Sequence, residues 1–264
     1  MNILAIETTG ALASVALIDE AGQVSMESSD QKMNHLQHLM PMVDQILSKR
    51  GLEINDLNYI AVSEGPGSFT GIRIGVSSAR ALAQALGLKT IGVPTLKSFL
   101  YHVPEYKGVV CPIFDARRNQ VYGGAYRWSD SKISEVVAGD AYDLNDLLEL
   151  LAQTFQSDRE GQTLPAQTIS AQGVSESAED RSGEVTFFGD GIIPYREQIE
   201  AWQRASSNNN IRVQFASDDL RLQNASSIAR LALELCRSGN QKSLYDLKPV
   251  YMRKAEAERK LEGK

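Results

Sequence analysis

Four stretches of this sequence carry residue types that do chemistry. The first is Glu7-Thr8-Thr9, an acid and two hydroxyls at a polar turn between two apolar runs. Oxygen donors of this kind can hold phosphates and the hard cation that accompanies them. The same hydroxyls can instead hydrogen-bond the turn itself. The second is Gly65-Pro66-Gly67-Ser68-Phe69-Thr70-Gly71, placed just before a helical pattern. Backbone N–H groups at a helix start attract anions, but the Lys-containing spacing of a P-loop is missing, and no Lys occurs between Lys49 and Lys89. Packing is the rival reading: Gly71, Gly75, Ser78, Ala79, Leu82 and Ala85 share one helix face and let another backbone approach. The third is Asp115-Ala-Arg-Arg-Asn-Gln-Val-Tyr122, where Arg117 and Arg118 form either an anion clamp or a hairpin turn with solvated charges. The fourth is the pair His35 and His38, whose helical spacing could share a metal but which has no Cys or third His nearby.

No set for covalent catalysis emerges. Gly-x-Ser-x-Gly is missing, and Cys111 sits in the apolar run Val109-Val110-Cys111-Pro112-Ile113, the setting of a buried, inert thiol. With only 2 cysteines, no disulfide framework or four-cysteine zinc site can form. The net charge of −6 argues against a chain that holds nucleic acid by itself, because neutralised phosphates supply most of that affinity. No run approaches the ~20 apolar residues of a membrane span, and the first residues lack the basic start of a signal peptide. A cytoplasmic protein without membrane contact is expected.

The elements that must position these residues follow from the pattern. Residues 2–7 and 12–18 read as a β-hairpin, with a third strand from Val24 to Ser28. A helix is predicted from His35 to Lys49, closed by Gly51, with a kink or a later start imposed by Pro41. A strand from Tyr59 to Ser63, a helix from Thr70 to Leu86 ended by Gly87, and a strand from Thr90 to Val93 complete an α/β layer. A second unit opens with strands Val109 to Phe114 and Gln120 to Arg127, a weak echo of the first hairpin. Residues 156–184 read as a polar insertion. A helix from Ala225 to Cys236, capped by Asn224, precedes an extended charged tail. The expected lobes are 1–103 and 104–264, with the last helix and tail able to return to the first lobe.

Both helices of the first lobe carry wide apolar arcs. On the first, Leu36, Leu39, Met40, Met42, Val43, Ile46 and Leu47 span about 160° at ~100° per residue, more than the ~100° stripe one core face needs. On the second, Ile72, Val76 and Ala83 lie beside the small-residue face. A protein interface is one reading, and a helix pair sandwiched in a crowded core is the other.

The chain resembles a known family. The segment Glu64-Gly-Pro-Gly-Ser-Phe-Thr-Gly-Ile-Arg-Ile-Gly75, the run Ala79 to Leu86 and Ile91-Gly-Val-Pro-Thr-Leu96 resemble the TsaB family and its catalytic paralogue TsaD. Ile6-Glu7-Thr8-Thr9, the helix from His35 to Pro41, Asp115 to Tyr122 and Pro249-Val-Tyr-Met-Arg253 are similar to TsaB specifically. The resemblance implies an actin-like (sugar kinase/Hsp70) α/β fold of two duplicated lobes. Where TsaD has two metal-binding histidines, this chain reads Thr95 and Phe99, so no metal is expected here. What the resemblance implies is a non-catalytic scaffold for threonylcarbamoylation of the adenosine beside the tRNA anticodon. It would bind TsaD and, with it, the ATPase TsaE, and reach tRNA only through the complex. No cofactor is implied for the chain alone, and ATP or ADP belongs to the assembled complex. Leu36, Leu39, Met40, Val43, Ile72 and Val76 are the expected docking residues, for TsaD or for a second copy of the chain. Glu7, Thr8, Thr9, Arg117 and Arg118 are the expected nucleotide or anion contacts. An ATP-binding enzyme of the actin-like class, or a peptidase of the M22 type, is the alternative.

Overall fold

The computed structural model describes residues 1–29, 35–130, 132–160, 183–205 and 210–253. The chain divides into two units, Met1–His102 joined by the chain from Gln223 onward, and Val103–Leu222.

The first unit is built on a five-stranded sheet in the order β3-β2-β1-β4-β5. Strands β1 (Asn2–Glu7), β2 (Ser14–Asp19) and β3 (Val24–Ser28) form an antiparallel meander, and β4 (Tyr59–Gly65) and β5 (Lys89–Pro94) add in parallel. Helix α1 (His35–Arg50) connects β3 to β4 and runs unbroken through Pro41. Helix α2 (Phe69–Leu86) connects β4 to β5; Ser68 caps it through a bond from the Gly71 N–H, and Gly87, at φ 67°, closes it. Leu4, Ile6, Val15, Leu17, Ile60 and Val62 alternate along the strands onto one sheet face and form a core with Leu39, Val43, Ile46, Ile72, Val76, Ala79 and Ala83 of the two helices. The short α3 (Thr95–Ser98) follows β5.

The last helix, α6 (Ala225–Arg237), packs on β1 and β2. The intervening residues of β1, Ile3 and Ala5, are wholly buried on the face it covers. Helix α6 and the following segment therefore belong to the first unit, the return that the sequence left open to them, and the second unit ends at Leu222. The physical reason is that a sheet flanked by helices on one face leaves its other apolar face to be covered.

The second unit repeats the design. Its sheet has the order β10-β9-β6-β7-β8. Strands β6 (Val109–Asp115), β7 (Gln120–Ser129) and β8 (Lys132–Asp143) are antiparallel, and β9 (Gly183–Phe188) and β10 (Ile211–Phe215) add in parallel. Helices α4 (Leu144–Glu160) and α5 (Ile192–Arg204) occupy the places of α1 and α2. The same sequence of three antiparallel strands, helix, strand, helix, strand occurs in both units: this is the duplicated topology of the actin-like fold. Of the expected polar insertion, its first residues are helical in α4 and its last in β9; 161–182 lie outside the described residues. Among the described residues no helix is long and apolar enough to cross a membrane.

Candidate functional site

In the first unit the fold brings Glu7-Thr8-Thr9 directly onto the Gly-rich turn. The Ser68 N–H donates to the Thr9 carbonyl at 2.8 Å, and the Thr8 hydroxyl donates to the Gly71 carbonyl at 2.7 Å. A Cβ at Gly71 would lie 2.0 Å from the Thr8 carbonyl oxygen, one at Gly75 2.4 Å from Thr8 Oγ1, and one at Gly67 2.6 Å from Thr9 Cβ. The glycines are therefore required by the close approach of the Thr8–Thr9 backbone. Two donors at the α2 start are taken by the chain itself: the Ser68 N–H bonds the Thr9 carbonyl and the Gly71 N–H bonds Ser68 Oγ.

Glu7 sits at the centre of this contact with no exposed surface. Its Oε1 accepts from the Thr9 N–H at 2.5 Å and from the Thr9 hydroxyl at 2.6 Å. Burial pushes the carboxyl above its ordinary range, with the Thr9 bonds opposing the rise. The neighbouring Ser63 hydroxyl is close enough to lower the pKa, but neither it nor Glu7 Oε2 forms a bond of normal geometry among the described residues. Glu7, Thr8 and Thr9 are 0%, 0% and 2% exposed. As side-chain contacts for a nucleotide the expectation is corrected: their oxygens face the turn and each other.

The expected docking residues are also placed differently. Leu39, Val43, Ile72 and Val76 are buried in the core between sheet and helices. Their arcs are wide because each helix packs both on the sheet and against the other helix. These four side chains cannot form a docking surface while the lobe is folded. Met40 does reach the surface, at 40% exposure. The side chains of Leu36 and His35 lie outside the described residues, and His38 is half-buried. Among the described residues no group of three or more His, Cys, Asp or Glu side chains could hold a metal ion. Thr95 and Phe99 are wholly buried, and the Phe99 ring stacks on His102 at 4.9 Å.

In the second unit, Asp115 ends β6 and opens a tight hairpin. Arg117, Arg118 and Asn119 all lie in the left-handed region, at φ 65°, 57° and 60°, a conformation that costs roughly 1–2 kcal/mol for each non-glycine residue. Several bonds hold it. Asp115 Oδ1 accepts from the Arg117 N–H at 2.8 Å and from the Tyr195 hydroxyl at 3.0 Å. The Asn119 carbonyl accepts from the Leu144 N–H at the start of α4 at 3.0 Å. Asp190 supports the corner by accepting from the Asp115 N–H at 3.1 Å. Burial, with the Asp115 carboxylate nearby, raises the Asp190 pKa, and burial with the Asp115 bond pushes the Tyr195 hydroxyl up to about 12. Arg117 closes an ion pair with Asp115 at 3.2 Å but is 86% exposed, so that pair adds little stability. Of the two readings for this stretch, the hairpin turn is what the structure displays; both arginines stand at the surface.

One cluster escaped the sequence reading. Phe69 and Arg73, one turn apart on α2, meet Tyr251 from the C-terminal segment. The helical spacing of the first two was legible, but the approach of a residue 178 positions later was not.

These features were compared with known proteins. The family model described as "TsaD: tRNA N6-adenosine threonylcarbamoyltransferase" matches residues 26–261. The tRNA threonylcarbamoyladenosine biosynthesis protein TsaB of Bacillus subtilis is 37% identical over 153 residues, covering 58% of this chain and 67% of that one. The TsaB of Escherichia coli is 28% identical over 266 positions, covering 100% of both. Among solved structures, YeaZ from Pseudomonas aeruginosa superposes with a TM-score of 0.67 at 23% identity, over 95% of this chain and 99% of that one; at this identity the likeness speaks for the fold.

Proposed function

Because the chain belongs to the TsaB family of tRNA threonylcarbamoyladenosine biosynthesis proteins, we propose that it is a non-catalytic scaffold that binds the paralogous TsaD and, with it, the ATPase TsaE. The observation that carries this reading is the seating of the Thr8–Thr9 turn on the glycines of the Gly-rich segment. The Gly-rich turn that would receive a phosphate receives the chain's own Thr8–Thr9 turn, with Thr8 O and Thr8 Oγ1 in the space above Gly71 and Gly75. Residues Thr95 and Phe99, where the resemblance puts the paralogue's metal ligands, lie in the core and offer no imidazole. The net charge of −6 favours tRNA contact through the assembly over contact by this chain alone. Such a scaffold acts in the cytoplasm, where tRNA is modified, and its docking surface is the solvent side of α1 and α2, with Met40 and the start of α2.

The test is reconstitution. Threonylcarbamoylation of tRNA is measured with TsaD and TsaE of the same organism, with and without this chain, alongside light scattering of the mixtures. Modification that requires the chain, together with a stable heterodimer, supports the proposal. ATP hydrolysis by the highly purified chain alone, lost in Glu7→Ala, would overturn it in favour of an enzyme.

A further inference from the structure

Globular domains rarely leave large apolar side chains clustered at the surface, yet this lobe places two aromatic rings and a valine together at one place. Phe69, Val250 and Tyr251 are 37%, 42% and 40% exposed. The Phe69 and Tyr251 rings lie 4.8 Å apart with an interplanar angle of 32°. The exposed Arg73 guanidinium sits 4.0 Å from the Phe69 ring centroid and 5.9 Å from that of Tyr251. Its Nε donates to the Tyr251 hydroxyl at 3.0 Å, which fixes the plane of the group. Among the described residues no carboxylate pairs with Arg73, so the fork of terminal N–H donors is available to a bidentate acceptor.

The patch is held by rigid structure on both sides. Phe69 and Arg73 stand on the capped first turns of α2. The segment bearing Tyr251 is fastened by the Val250 N–H to the Glu64 carbonyl at 2.7 Å and by close contact of Gly65 with the Val250 carbonyl. Further back, Leu247 is wholly buried and Lys242 bridges to Thr90 on the edge strand β5. An oriented guanidinium over an exposed aromatic ring and beside a second, on fixed elements, has the composition and preorganisation of an interface hot spot.

We propose that Phe69, Arg73 and Tyr251 form the anchor for a protein partner that presents a carboxylate flanked by apolar side chains. The inference rests on the scaffold reading and names TsaD as the bearer of that carboxylate. Charge complementarity favours a protein over RNA: a phosphate-binding surface gathers several cations, whereas among the described residues Arg73 is the cation seated on these rings, on a chain of net charge −6.

Titration calorimetry of this chain against TsaD from the same organism, at low and high salt, tests the anchor. Arg73→Ala and Phe69→Ala should each raise Kd by roughly 30-fold, the effect of a central hot-spot residue. Arg73→Lys, which keeps the charge and loses the fork, should not restore binding. Tyr251→Phe should give a smaller loss, and thermal melts of all four variants should stay close to wild type. Wild-type affinity in both alanine variants, within about twofold, overturns the anchor while leaving the scaffold reading in place. Loss of tRNA binding or of self-association with the TsaD affinity intact also overturns it, because the acceptor would then be a phosphate or a second copy. If the wild-type chain does not bind TsaD, the scaffold reading fails and the anchor with it.

Discussion

Substituting Gly75 by Ala is a direct probe of how tightly the Thr8–Thr9 turn is seated. The added Cβ would lie 2.4 Å from Thr8 Oγ1 and 3.2 Å from Val62 Cγ2. Overpacking of this kind costs about 1–3 kcal/mol. Turning the Thr8 side chain aside would break its bond to the Gly71 carbonyl, a net loss of about 1 kcal/mol. The helix preference of Ala over Gly returns about 1 kcal/mol, so the variant should be destabilised by about 1–3 kcal/mol. In a Thr8→Ala background the main obstacle is gone: the nearest Thr8 atom becomes its Cβ at 3.8 Å, an ordinary contact, and the Val62 methyl at 3.2 Å has only to give by a few tenths of an ångström. Gly75→Ala should then be close to neutral, a coupling of about 2 kcal/mol between the two sites. Gly71→Ala is the control: its Cβ would meet the Thr8 backbone oxygen at 2.0 Å, so Thr8→Ala should not rescue it. Urea unfolding followed by circular dichroism measures all five variants. Tryptophan emission adds a lobe-specific signal, since Trp128 and Trp202 both belong to the second unit. Equal cost of Gly75→Ala in both backgrounds, within about 0.5 kcal/mol, would refute the seating argument.

The buried Glu7 has a raised pKa, so its contribution to stability is full below pH 4.5 and is lost as pH rises through the folded value. Glu7→Gln should therefore melt higher than wild type at pH 8, with the gap closing toward pH 4.5; a gap independent of pH would count against a buried, strained carboxylate. Val43→Glu places a charge at a position with no exposure and should cost more than about 4 kcal/mol. Met40→Glu, at 40% exposure, should stay within about 0.5 kcal/mol; equal melting temperatures for the two would contradict the core described for α1. Asn224 caps α6 through its Oδ1 and the Ser227 N–H at 3.1 Å, so Asn224→Ala should cost about 1 kcal/mol and lower Tm by about 2–4 °C. Burial pushes the Cys111 thiol up, so it should react with a disulfide reagent only after unfolding; rapid labelling of the native chain at that position would exclude the buried strand.

What the sequence made legible was local. The first hairpin, the two helices after it, the Gly87 stop and the Asn224 cap are each set by a few neighbouring residues, and their observed limits differ from the reading by one or two positions. Helix α4 was legible in the same way, since Leu144, Leu147, Leu148, Leu151 and Phe155 recur at helical spacing and are buried on one side. β8 was harder: most of its residues are partly exposed, which blunts the alternation that marks a half-buried strand. That the last helix and tail could return to the first lobe was legible, but where the second unit ends and the Tyr251 contact were not, because both depend on chain returning after more than a hundred residues. The wide apolar arcs are a different case, because the sequence held the alternatives without a means to choose. A helix wedged between a sheet and a second helix needs the same broad arc as a helix that serves both a core and a partner. Only the residues left over discriminate: once Leu39, Val43, Ile72 and Val76 are assigned to the core, any docking must use what remains outside it. On α1 and α2 that remainder includes Met40, Phe69 and Arg73, and an exposed arginine held over one aromatic ring and beside another requires explanation in a way that a wide stripe of leucines does not.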